Sequence, residues 1–212
     1  MVAGLSNQVA SLLPLDQELY LRALTGRLVG EHLFDGFKKV AVITYPDRIC
    51  SAMAVAALTS FTYVTGYRDG FGGVYIYEPS HLERIAREIV SRDFDAVYIS
   101  FGGEQKLSIV NEAFINTLRA LARAGYKRAL AIHVREWLAS KQLSTVLADN
   151  ELRTWLEGLS EVRVFTADLQ NKKFIFSRVR FPEGKASLAP YREALLTDEH
   201  VDLLKRSIPP PE

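Results

Sequence analysis

The sequence has 212 residues, 48% of them hydrophobic, with 26 basic and 25 acidic residues, a net charge of +1 and one cysteine. A chain of this length buries roughly 70% of its unfolded surface, so a core can form without disulfides or a structural metal. The lone Cys50 rules out a disulfide framework or a cysteine-based zinc site within the chain. The balanced charge supplies no global field for nucleic acid, so any such contact needs a local patch.

Met1 to Leu13 has no basic region ahead of its apolar residues and makes a poor signal peptide. No stretch reaches transmembrane length without charges, so a cytoplasmic, membrane-free location is expected. Residues 16–34 repeat Leu21, Leu24 and Leu28 at helical spacing. The β-branched run 39–45 reads as a strand buried on both faces. Pro46-Asp47 opens a helix that continues through Ala52 to Thr65, with Asp47 as its cap and Cys50 as a small buried hydrophobe.

The alternation then repeats. Strands are expected over 73–77, 95–101, 126–133 and 162–166, and helices over 79–91, 107–124, 137–147 and 150–158. Residues 172–181 read as a strand pairing back on 162–166 as an edge hairpin, followed by a short helix from Thr197 to Lys205. The fold class is therefore α/β: a mostly parallel, Rossmann-like sheet with helices on both faces, an edge hairpin and a short C-terminal helix. One domain spans 1–206, with its N-terminal helix at 16–34, a core at 38–167 and the hairpin and helix at 168–206. Residues 207–212 form a proline-rich tail.

In such sheets ligands gather beyond the carboxyl ends of the strands, which directs attention to 44–51, 100–106 and 132–137. Gly102-Gly103 reads as a turn after a buried strand, with anion binding by its N–H groups as the lesser alternative. A hydrolase using two metal ions needs several carboxylates or histidines there. These loops supply few.

The order of motifs resembles the DHH phosphoesterases, and within them the RecJ nucleases, over about residues 38–137. Ser51-Ala52 matches the start of the family's first helix. That places Ile43 at its histidine, Tyr45 and Asp47 at its aspartates and Arg48 at its glycine. Ser100 falls at the aspartate of the second motif, while Gly102, Gly103 and Gln105 keep much of that loop. Ile132, His133 and Val134 stand at the Asp-His-His triplet. The resemblance thus implies a DHH-like fold with a degenerate site at Ile43, Tyr45, Asp47, Ser100, Ile132, His133 and Val134, no catalytic residue, no metal and no cofactor. Asp47 has a sufficient role as a cap, and His133 as a locally bonded histidine.

An inactive archaeal RecJ-like protein, of the cell division cycle protein 45 type, is implied to be a chromosome-associated scaffold of DNA replication. Its partners would be the GINS complex and the MCM helicase. Two alternatives stand beside it: a manganese-dependent single-strand DNA exonuclease or phosphoesterase, and a single-stranded nucleic-acid-binding module. One local feature fits binding independently: Lys172, Phe174, Phe176, Arg178 and Arg180 share a strand face and could meet a protein partner or single-stranded DNA. The plainer reading is a strand packed by its phenylalanines, with arginine stems reaching to water. Tyr63, Tyr67 and Phe71 form either another interface or core.

Overall fold

The computed structural model describes residues 13–66 and 71–207. The elements run α1 (Leu15–Leu28), β1 (Lys39–Thr44), α2 (Arg48–Thr65), β2 (Phe71–Ile76), α3 (Leu82–Ser91), β3 (Ala96–Ser100) and α4 (Leu107–Arg123). They continue β4 (Ala129–Ile132), α5 (Val134–Ala139), α6 (Ser144–Leu147), α7 (Asn150–Glu157), β5 (Val162–Asp168), β6 (Lys173–Arg180), β7 (Ser187–Leu195) and α8 (Asp198–Ser207). The sheet has seven strands in the order β2-β1-β3-β4-β5-β6-β7. The first five are parallel, and β6 and β7 add antiparallel.

The expected α/β class is present, with helices on both faces. One core layer joins Ile85 of α3, Phe114 of α4 and Leu152 of α7 to Ile43, Ile99 and Ile132 of the sheet. The other joins Leu21 of α1, Phe61 of α2 and Val201 of α8 to Val42, Tyr98, Phe165 and Phe176. β1, β3 and β4 are buried along nearly their whole length because both of their faces are covered. The expectation that no uncharged stretch reaches transmembrane length is corrected by α2, which is long and apolar enough to cross a membrane, a property that core helices of folded domains share. Here its inner face packs on α1 and the sheet.

α1 and α2 lie close because Gly26 and Gly30 carry no Cβ. One built at Gly30 would stand 2.3 Å from Ala57 O and 2.8 Å from Phe61 N. After α1 the chain widens into a π-helical turn at Val29–Leu33, so the helix expected over 16–34 is two conformations in succession.

Two expectations change. The hairpin of β5 and β6 exists, but β7 pairs outside it and forms the true edge. Pro190 argues against a strand from sequence, yet an edge with a bulge tolerates it, and the register shifts between Phe176 and Ser177 opposite it. The helix expected over 137–147 is broken, because Lys141, Gln142 and Leu143 adopt left-handed φ values of 49°, 57° and 69°. The sequence readings of Met1–Leu12, Tyr67 and 208–212 fall outside the described residues, as does the side chain of Phe71.

Candidate functional site

β1, β3 and β4 are neighbours, with Ile43 opposite Ile99 and Ile99 opposite Ile132. Their carboxyl-end loops therefore converge, as the sequence suggested. Gly103 N–H donates to Cys50 Sγ at 3.1 Å, and Arg135 donates to Gln105 O at 2.9 Å. Arg48 pairs with Glu104 at 3.3 Å.

The polar groups gathered there are committed to holding the loops. Asp47 caps α2 by accepting Cys50 N–H at 2.7 Å. His133 caps α5: its Nδ1 accepts Arg135 N–H at 3.1 Å, so the neutral ring carries its proton on Nε2. Burial first, then Arg22 and Arg135, pushes its pKa down to about 3. Glu136 is fully buried and completes a capping box, accepting His133 N–H and Phe101 N–H at 2.9 Å each. Burial raises its pKa well above the usual carboxylate range, against those two hydrogen bonds. Burial and then Asp47 also raise the Cys50 thiol, which leaves it protonated and unreactive.

The remaining positions are structural. Ile43 and Ile132 are core, and Tyr45 stacks on Tyr77 at 5.5 Å between ring centroids. Ser100 is buried, and Val134 is half-buried against the second core layer. Between Arg22, Cys50, Ser100, Gly103 and His133 remains a space of about 10 Å³, room for one water. Among the described residues no three His, Cys, Asp or Glu side chains are placed to hold a metal ion.

The strip along β6 divides into two parts. Phe174 and Phe176 are buried, packed edge-on against His200 and His32 respectively, so neither can stack on a base. Lys172 pairs with Asp198 at 2.6 Å. Arg178 pairs with Glu161 and lies over the Tyr191 ring, 4.8 Å from its centroid. Arg180 is exposed. The alternation was read correctly, but α8 and the π-helical turn after α1 cover the first half of that face.

An open cleft lies elsewhere, where sequence reasoning did not look. It has a volume of about 480 Å³ and sits between α5 and the carboxyl end of β5. Val134, Trp137 and Leu138 form one side, and Leu169, Ala186 and Leu188 the other, with Gln142 and Thr166 as polar members. Leu138 is 57% exposed and Leu188 39% exposed. Only the pairing of β7 onto β6 brings Leu188 here, and nothing in the local sequence announces that pairing.

Several solved structures share part of this architecture. One assigned as a branched-chain amino acid ABC transporter from Rhodospirillum rubrum has a TM-score of 0.47 and 21% identity, covering 69% of this chain and 37% of that one. The LpoA C-domain from Haemophilus influenzae, a regulator of PBP1A, has a TM-score of 0.46 and 12% identity, covering 77% and 46%. The leucine-binding protein LivK from Thermotoga maritima has a TM-score of 0.45 and 14% identity, covering 73% and 39%. The chain thus spans less than half the length of each. No curated protein matches the sequence.

These findings overturn the DHH resemblance, since none of the structures above is a DHH phosphoesterase or RecJ protein and the matched family carries no such description. The replication scaffold, its GINS and MCM partners, the manganese-dependent nuclease and the nucleic-acid-binding alternative are withdrawn with it. The physical source of the error is plain: strand, glycine turn and small-residue helix recur wherever a helix leaves a parallel strand, whatever the site holds. A family model described as "Uncharacterized protein" matches residues 18–203, and the chain belongs to that family.

Proposed function

We propose that the chain is a non-catalytic binding domain that takes a small, uncharged, largely apolar molecule in the cleft between α5 and β5. The cleft itself carries this reading. Its 480 Å³ lies within the range of about 300–1,000 Å³ common for small-ligand pockets. Nothing charged lines it, so a charged ligand would lose its hydration without a counter-charge. Trp137 offers a buried aromatic wall, while Gln142 and Thr166 can meet one polar group of the ligand.

The left-handed turn supports the same reading. Each such residue costs on the order of 1–2 kcal/mol. Hydrogen bonds from Gln142 N–H to Trp137 O at 2.7 Å and from Leu143 N–H to Ser140 Oγ at 3.0 Å hold the turn. It stations Gln142 in the wall of the cleft. The absence of catalysis is supported by the crevice between β1 and β3, where the acid and base side chains cap helices and tie loops.

The test is titration with N-phenyl-1-naphthylamine, an uncharged apolar fluorophore, in a Trp155→Phe background that leaves Trp137 as the emitter. Probe emission rises and Trp137 emission falls together, and Leu188→Arg weakens binding by about tenfold, or 1.4 kcal/mol. No change at about 100 μM probe, or binding indifferent to Leu188→Arg, would sink the proposal.

A further inference from the structure

We infer that the outer edge of β2 is an interface between two copies of this chain, joined by antiparallel pairing of β2 with its counterpart. The two edges of the sheet are built differently. β7 carries Pro190, Arg192 and Glu193 and a register shift against β6, all features that discourage another strand from adding. β2 reads Phe-Gly-Gly-Val-Tyr-Ile, with no charge and no proline, and among the described residues its one strand partner is β1. Its outer row of N–H and C=O groups is a template for pairing.

The side chains beside that edge are equally unguarded. Gly72 packs under Leu58 of α2, and Val74 and Ile76 share its face by strand alternation. Val74 is 46% and Ile76 58% exposed, and on α2 Val55 is 58% and Tyr63 88% exposed. A groove of about 630 Å³ runs between helix and strand, and the described residues that line it, among them Leu58, Thr62, Tyr63 and Gly72, are uncharged.

Three arguments select a second copy as the occupant. The described residues of this surface give a charged partner nothing to pair with, whereas the same surface on another copy matches it, and a net charge of +1 per chain leaves little repulsion. A two-fold axis through antiparallel β2 strands satisfies both edges at once and closes the assembly at two. The helices also leave room that side chains can fill. α2 packs on β1 and β2 and more lightly on β3, so it stands back from the edge. The exposed Val55 and Tyr63 of the two copies can then occupy the space between the helices, above Val74 and Ile76.

Light scattering after gel filtration of the full chain tests this. The expected mass is twice the 23.8 kDa of one chain. Val74→Lys with Ile76→Lys returns it to a single chain, with the far-ultraviolet circular dichroism unchanged. Because two lysines can disturb β2 itself, Tyr63→Asp is the second variant: the Tyr63 side chain stands clear of the core, and its replacement weakens association at least tenfold. A wild-type mass of one chain at about 100 μM overturns the inference, as does a dimer that survives both variants.

Discussion

Glu136 Oε1 accepts the backbone N–H of Phe101 at 2.9 Å, which ties the start of α5 to the end of β3 across 35 residues of chain. Its other oxygen accepts His133 N–H, so each oxygen serves one donor. Glu136→Gln keeps one acceptor but turns an amide N–H₂ toward a second donor. Leaving a buried donor unsatisfied costs about 1–3 kcal/mol. Urea unfolding should show a loss of that size, and Glu136→Ala, which abandons both donors, a larger one.

Acid should destabilise the fold through its buried histidines. Burial, then Arg22 and Arg135, lowers His133 to about 3, and burial, then Arg27 and Arg22, lowers His200 to about 4. An unfolded histidine titrates near 6.5, so the unfolded chain takes up protons first as pH falls. Their contribution is complete above about pH 6.5 and is lost on the way down to about 3, at up to about 1.4 kcal/mol per pH unit for His133. Glu136 acts oppositely, because its raised pKa lowers stability as pH rises above its ordinary value. Denaturation midpoints between pH 7 and 5 read the net slope. His133→Asn keeps a capping acceptor without the titration, and it should flatten the acid limb; an unchanged slope would refute the assignment.

Arg163 should be irreplaceable by lysine. Its guanidinium, buried in β5, donates to Leu33 O at 2.9 Å and Asp35 O at 2.7 Å and pairs with Glu161 at 2.8 Å. It also stacks 4.1 Å from the centre of the Phe37 ring. The planar fork serves several acceptors at once, which an ammonium cannot. Arg163→Met should cost about 3 kcal/mol, and Arg163→Lys should recover less than half of it in thermal or chemical denaturation.

Gly30→Ala should destabilise despite better helix propensity. The propensity gain is about 1 kcal/mol, but the new Cβ would strike Ala57 O and the Phe61 backbone of α2. Overpacking against backbone costs about 1–3 kcal/mol. The net change should be a lower melting temperature. A higher one would show that α1 can move away from α2.

The sequence by itself determined the parallel strands and their helices, because doubly covered strands must be apolar and the helices between them amphipathic. It also placed Asp47 as a cap and brought the right three loops together, since strand ends define them. It misjudged what those loops meant. Turn glycines and small helix residues follow from backbone geometry, so they look alike in a nuclease and in a domain whose crevice is filled. Only the tertiary structure decided that Phe174 and Phe176 are core, because His200 of α8 and His32 of the π-helical turn close over them from the two ends of the chain. Only it made β7 an edge, bringing Leu188 and Leu138 into one cleft, and put β2 at the other edge of the described sheet, because strand order is a property of long-range packing that local pattern does not encode.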